Sequence, residues 1–348
     1  MTKTNAMTDL QQPAPELPDS AVGTLLKEKY GLHGTWRALL SERDQNFRVT
    51  TTSGDRYVLK IANAAEDAST TERQVAVLNH LEISGCPVST PRVVRSNDGA
   101  SLETVEFDEV QYRCRLVTFL DGAVQSSRPD TEAFAVSLGE ATAHLLGALA
   151  DFHSDVADQP LLWDLQHASQ LRPLLDHILD DALRNACRDV LDDFDEFAQP
   201  ILATLPRQAI HGDLNSDNVL AGERDQVAGV IDFGDMVRAP RVCELAITAA
   251  YQRGSRQDPL QFVCAYLRGF ARHQSLTPTE AELIFDLVRA RLTASISILH
   301  WRQAERGADD EYARRSLDSE STAAGFLRAL DALGRERANT EISRSLSI

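Results

Sequence analysis

The chain has 348 residues, 43% of them hydrophobic and 25% charged, with a formal net charge of −17. That length suits one large domain or two lobes with a cleft. The acidity speaks against non-specific binding to nucleic acid or anionic membranes, and no apolar run reaches the ~18–20 residues of a membrane span.

Residues 1–20 are polar, hold Pro13, Pro15 and Pro18, and lack the apolar centre of a signal peptide, so they read as a disordered leader. A short amphipathic helix is expected over 21–30, ending at Gly31. Strands follow over 35–40, 47–52 and 56–62, the last two joined by an S-G-D turn. Lys60 stands inside the apolar run of the third strand. Lysine is seldom buried without a partner, so it is either an edge side chain reaching solvent or one held for a purpose. Residues 69–83 carry Val75, Leu78 and Leu81 at helical spacing, with Glu72 near the start. An extended lead-in over 91–96 precedes strands 101–107 and 111–119, completing a five-stranded antiparallel sheet. Residues 115–122 run from strand into a Gly-containing break, where alternation gives way to helical periodicity. The expected organisation is therefore 21–120, 121–335 and a frayed tail over 336–348. Helices are expected over 131–153, 166–180, 185–197, 242–252, 259–274 and 321–333. Thr277-Pro278-Thr279-Glu280 is a capping box that starts another helix at Pro278, running to about Glu305. The five cysteines are scattered, odd in number and form no C-x-x-C, which points to reduced cytoplasmic thiols and away from zinc.

The chemistry concentrates in residues 211–235, HGDLNSDNVLAGERDQVAGVIDFGD, two short strands around a polar turn. A polar turn with solvated acids is the plain reading. A hairpin needs no such set of carboxylates and Asn at its ends, however, whereas phosphoryl transfer does. In H-x-D-x-x-x-x-N followed by a strand and D-F-G, Asp213 takes the place of the base, and Asn218 and Asp232 those of Mg²⁺ ligands. A strand Lys paired with a helix Glu is the matching phosphate grip, giving Lys60 the α/β-phosphates and Glu72 the task of fixing it; otherwise Glu72 is a first-turn acid favoured by the helix dipole. His211 reads as a packing residue. Thr118, Phe119 and Leu120 fall where backbone groups would read a nucleotide base. No G-x-G-x-x-G precedes Lys60, so 41–47 must cover the phosphates through backbone amides and Ser41, Gln45 or Asn46. Gly212 replaces the H-R-D arginine, no A-P-E segment follows, and seven residues separate Phe233 from Arg241. That is too few for an activation loop, so a small-molecule acceptor is expected.

HGDLNSDN followed by IDFGD resembles the aminoglycoside phosphotransferase-like kinase family, which includes choline, homoserine and methylthioribose kinases. Asp44-Gln45-Asn46-Phe47, Trp163-Asp164-Leu165 and IDFGDMVRAPRVCELAI are similar to the hydroxylysine kinases of that family. The resemblance runs from about 21 to about 333. It implies an α+β, bilobal, protein-kinase-like fold: an N-lobe with a five-stranded antiparallel sheet plus helix, and a mainly helical C-lobe with a catalytic hairpin. The implied reaction is Mg²⁺-assisted, NTP-dependent phosphorylation of a hydroxyl on an amino-alcohol or amino-acid-like molecule, with ATP or GTP as donor.

The acceptor is then cationic or zwitterionic, and the protein is a cytoplasmic monomer or homodimer. Acids able to face an amine are Asp235, Glu244 and Asp164, the last beside Trp163. Arg241, Arg289 and Arg291 offer partners for a carboxylate. Each has a structural reading when taken singly, and Arg289 and Arg291 lie two apart on one helix, so at most one reaches the substrate. The alternatives are an aminoglycoside or homoserine kinase, an inactive nucleotide-binding regulator, and a metal phosphohydrolase using His211, Asp213 and Asp232, which would leave Lys60 without a role.

Overall fold

The computed structural model describes residues 14–41, 43–154, 161–306 and 311–347, with the backbone alone for 306 and 311–321. The chain divides into a unit ending at Asp121 and a unit from Gly122 onward, apart from a short segment after Phe152 that groups with the first.

In the first unit, helix α1 (Asp19–Tyr30) closes at Gly31, whose φ of 65° needs no Cβ penalty. Most of the expected leader, residues 1–13, lies outside the described residues. Its last part is corrected: Leu17 is buried among Val22, Leu25, Phe47 and Leu59. Its backbone is clamped by the Gln45 side-chain amide, whose Oε1 accepts from Leu17 N at 2.9 Å and whose Nε2 donates to Leu17 O at 3.1 Å. The sheet runs β1 (Gly34–Leu39), β2 (Gln45–Thr51), β3 (Arg56–Ile61), β4 (Val93–Val94), β5 (Glu103–Phe107) and β6 (Val110–Thr118). Its order is β1-β2-β3-β6, all antiparallel, with β4 and β5 both paired to β6. The lead-in therefore adds a sixth strand to the expected five, because Val93 and Val94 find Val117 and Leu116 free on that edge. Helix α2 (Ala68–Ile83) starts where the Asp67 carboxylate accepts from Ser69 N at 2.8 Å.

The second unit is mainly helical. Helix α3 (Glu132–Leu149) packs on a later helix through glycine. A Cβ on Gly139 would lie 1.9 Å from Tyr266 O, and one on Gly269 2.0 Å from Val136 O. The stretch expected as helix over 166–180 is 3-10 over Leu165–His177, broken at His167. Pro173 lies inside it and has no N–H to donate. Helix α4 (Asp181–Asp193) is capped by Asp180, which accepts from Ala182 N and Leu183 N. Then come α5 (Arg241–Ala249), α6 (Gln261–Ala271), α7 (Pro278–Arg306), α8 (Glu311–Leu333) and α9 (Arg335–Leu346). The expected capping box forms at the head of α7: Glu280 N donates to Thr277 Oγ1 at 3.2 Å, and Thr277 N donates to Glu280 Oε2 at 2.8 Å. Leu283, Phe285, Leu287, Val288, Leu292 and Ile296 bury several faces of α7, the pattern of a core helix rather than a surface one.

Two small ladders frame residues 211–235. Strand β8 (Gln208–Ile210) pairs with β11 (Val237–Ala239), and β9 (Val219–Ala221) pairs with β10 (Val227–Val230) and β7 (Ala123–Val124). With Ile210 opposite Val237 and Val219 opposite Val230, residues 211–218 and 231–236 form two neighbouring loops. No helix among the described residues is long and apolar enough to cross a membrane.

The frayed tail is corrected as well. Residues 335–346 are helical because Ala338, Ile342 and Leu346, spaced by four, bury one stripe. Ile342→Ala is expected to cost about 2–4 kcal/mol by cavity formation. Chemical denaturation checks this, and a loss within ~0.5 kcal/mol would restore the frayed-tail reading.

Candidate active site

His211 follows β8 and is fully buried. Its Nε2 lies 3.0 Å from Ile231 O, and Asp213 N donates to its Nδ1 at 3.3 Å. A ring that donates from Nε2 and accepts at Nδ1 is the neutral tautomer. Its ring centroid is 4.7 Å from that of Phe233. His211 therefore ties the two loops together, as its packing role implies. Gly212 has φ 79°, and a Cβ there would lie 2.3 Å from Asp235 O, so no other residue fits without moving the backbone. Its N–H donates to Glu244 Oε2 at 3.0 Å. Glu244, on α5, is wholly buried, and that burial pushes its carboxyl above the usual range.

Asp213 is held at both oxygens. Oδ1 accepts from Arg291 Nη2 at 2.7 Å, and Oδ2 accepts from Asn215 Nδ2 at 2.8 Å and Asn218 Nδ2 at 3.0 Å. Burial pushes its pKa up to about 7; Arg291 and the Asn215 hydrogen bond pull it down, and the fields of Asp235 and Asp232 push it further up. Asn215 shapes the loop, its Oδ1 accepting from Asp217 N at 2.8 Å and Asn218 N at 3.2 Å. Asn218 Nδ2 also donates to Asp213 O at 2.9 Å. Its nitrogen is thereby committed, which leaves Oδ1 as the acceptor turned away from Asp213. Asp232 has a left-handed backbone, φ 63°, unusual outside glycine and of a kind that clusters at functional sites. An amide oxygen and a carboxylate are hard donors, and that set fits Mg²⁺.

Arg291 comes from the middle of α7 and is 1% exposed. Its Cζ lies 4.8 Å from the Trp163 ring centroid and 5.8 Å from that of Tyr251, and Nη2 also reaches Tyr251 Oη at 3.3 Å. Arg289 bonds Asp331 at 2.9 Å and Asp193 at 2.6 Å instead. Of the two arginines, which leave the helix in different directions, Arg291 reaches Asp213.

Three of the expected substrate residues have partners within the chain. Glu244 is engaged by Gly212. Asp164 caps the 3-10 segment, accepting from Gln166 N at 3.0 Å. Arg241 makes a bidentate pair with Glu280 at 2.8 and 3.0 Å and also bonds Gln274 and Ser275 O. Asp164, Asp235 and Trp163 line one small cavity beside Gly212. Asn215, Tyr251 and the tie from Arg291 to Asp213 escaped the sequence reading. The signal for Arg291 was a charge inside an otherwise apolar helical run.

In the first unit, Lys60 is registered opposite Asn46 on one side and Arg115 on the other. Glu72 is corrected: it is largely exposed and bonds Arg113 at 2.9 Å. A carboxyl that feels the field of Lys60 is Glu66, ahead of α2. Burial pushes it up to about 7, Asp44 adds to that, and Arg115, Arg43 and Lys60 oppose it. Gln45 is likewise corrected, since both ends of its amide hold Leu17. Ser41 Oγ accepts from Asp44 N at 3.3 Å and so supports the turn before β2. Asn46 is buried, with no hydrogen-bond partner for its Oδ1 among the described residues. Thr118 N donates to Arg92 O at 2.9 Å and Phe119 N to Arg56 O at 3.1 Å, so of these three amides only that of Leu120 makes no hydrogen bond among the described residues. Arg48 and Arg56 sit over the Phe119 ring at 4.8 and 5.1 Å.

The model for the phosphotransferase enzyme family (APH) matches residues 35–284. The hydroxylysine kinase of Xenopus laevis is 26% identical over 360 residues, covering 97% of this chain and 96% of that protein. The homoserine kinase of Hyphomonas neptunium is 31% identical over 253 residues, covering 68% and 71%. An amicoumacin kinase, solved with AMP-PNP, Ca²⁺ and Ami, shares the fold with a TM-score of 0.67 at 14% identity, covering 92% of this chain and 95% of its own.

Gly212→Ala is expected to destabilise the loop by about 1–3 kcal/mol through the backbone conformation alone, with the Asp235 carbonyl clash added. Thermal melting checks this, and an unchanged melting temperature would overturn the steric account.

Proposed function

The chain belongs to the phosphotransferase enzyme family, and from that premise we propose that it phosphorylates the hydroxyl of an amino-acid-like or amino-alcohol substrate of the hydroxylysine type. That it is a small-molecule kinase acting on an alcohol group, with a nucleotide as donor, follows from the family and its curated relatives. Similarity to hydroxylysine kinase over nearly the whole chain supports the narrower class. The observation that carries the mechanism is Asp213, a partly exposed carboxylate fixed by three side-chain donors, Arg291, Asn215 and Asn218.

In this reading the acceptor hydroxyl gives its proton to Asp213 as its oxygen attacks the γ-phosphorus. The bond to the β–γ bridging oxygen breaks, and the nucleoside diphosphate leaves. Because the transition state is loose, Asp213 contributes mainly by aligning the hydroxyl. Asn218 and Asp232 would hold Mg²⁺, which screens phosphate charge. Lys60 neutralises α/β-phosphate charge, and Glu66, whose carboxyl feels its field, stands in for Glu72, which pairs with Arg113. Leu120 offers its free amide to the base. Trp163 and Asp235 lie on the acceptor side. The 31% identity with a homoserine kinase favours a second reading within the same class, a shorter hydroxy amino acid.

Turnover of Mg·ATP and Mg·GTP against hydroxylysine, homoserine, aminopropanol and aminoglycosides tests both. Acceptor-dependent nucleoside diphosphate release is expected with a hydroxy amino acid and is lost in Asp213→Ala and in Asp232→Ala. Turnover that survives both substitutions sinks the mechanism.

The pH dependence has a definite sign. Asp213 acts as its anion, and its folded pKa is raised to about 7. The active fraction therefore grows as pH rises through 7 and shrinks below it. Measured at limiting nucleotide and acceptor, where kcat/KM reports the free enzyme, the acid limb is expected near neutrality. A profile flat down to pH 5 contradicts this.

A further inference from the structure

We propose that Arg291 is a positioning residue for the phosphoryl-transfer step, holding the Asp213 carboxylate in one orientation from a seat between Trp163 and Tyr251. The proposal rests on the reading of Asp213 as the group that aligns the acceptor hydroxyl.

Three observations carry it. The first is the placement of the guanidinium. Arg291 stands on the core helix α7, is 1% exposed, and meets Asp213 Oδ1 at 2.7 Å. An arginine is rarely buried this deeply without a task, because its charge leaves water. The second is how its own position is set. Trp163 lies 4.8 Å from Cζ, Tyr251 lies 5.8 Å away, and Tyr251 Oη bonds Nη2 at 3.3 Å. Nε and Nη1 find no acceptor among the described residues. The ring faces take their place, so the plane of the cation is fixed by aromatic packing rather than by a second carboxylate. The third is the division of labour at Asp213. Asn215 and Asn218, from its own loop, hold Oδ2, and among the described residues Arg291 alone, from a distant helix, holds Oδ1. Two oxygens tied to two separate elements leave the carboxylate plane no free rotation. Without Arg291, Oδ1 would swing about the Asn-bound Oδ2, and the hydroxyl it orients would lose its in-line approach.

This role differs from binding the acceptor, and kinetics separate the two. Arg291→Met is expected to lower kcat about 100-fold, the scale of a misplaced catalytic group. The acceptor KM and the nucleotide Kd should change by less than about threefold. Tyr251→Phe removes one hydroxyl at the edge of the seat and is safe for folding. It should lower kcat roughly two- to tenfold, the worth of one hydrogen bond, again with KM held. Added guanidinium should restore part of the kcat of Arg291→Ala, while urea, which has the same shape and no charge, should not. A raised acceptor KM with kcat retained in Arg291→Met and Tyr251→Phe overturns the proposal and makes Arg291 a substrate-binding group. Unchanged kcat in Tyr251→Phe together with failed guanidinium rescue also overturns it. Failure of the underlying reading shows separately, as turnover that persists in Asp213→Ala whatever the Arg291 variants do.

Discussion

A carboxylate drawn partly out of water must be met by donors or become neutral, and the loop of Asp213, whose side chain stays 21% exposed, is arranged around that requirement. Burial drives its pKa up, and Asp235 and Asp232 add like charge. Arg291 is the cation that answers all of this, and it needs a dry place of its own. That place exists only because α7 passes through the core and Trp163 and Tyr251 flank it. Remove one partner from such a group and the other is left as an uncompensated buried charge, which costs more than the pair contributes. The loop geometry follows from the same demand. His211 must be neutral to bridge Ile231 O and Asp213 N, and Gly212 must be glycine for the chain to turn beneath Asp235.

What could be read from the sequence divides by range. Residues 211–235 were legible because their signal is local: fixed spacings, a strand on each side, and polar groups where a hairpin needs none. The hairpin closing β9 on β10 is short-range and follows from it. The Thr277–Glu280 box formed as written for the same reason. The errors lie where partners are chosen across long separations. Glu72 has the right period and chemistry for Lys60, yet it faces Arg113, while Glu66, outside the helix, enters the field of Lys60. Gln45 was read as a phosphate contact because it lies in a polar turn; its partner is Leu17, 28 residues earlier. Composition misled at the ends, where polar residues outnumber apolar ones but Leu17, Ile342 and Leu346 suffice to dock the segment.

Arg289 and Arg291 show how a helix converts spacing into function. Two residues apart means about 200° around the axis, so the two side chains leave in nearly opposite directions. Arg289 joins Asp193 and Asp331 and ties α7 to α4 and α8. Arg291 joins Asp213. One helix thus carries both a structural ion network and a group at the candidate site, and the rigidity of the first serves the second. A catalytic carboxylate on a loop is only as well placed as its most distant anchor. Here that anchor is a core helix, whose packed neighbours allow it far less motion than a loop would have. The same reasoning explains why the acids that looked available for substrate are not. Glu244 accepts from Gly212 N and Asp164 from Gln166 N, so each also holds the backbone near the loop of Asp213. Asp164, Asp235 and Trp163 line one small space beside Gly212, so part of the polar surface next to the Asp213 loop is shared with residues that also shape the backbone.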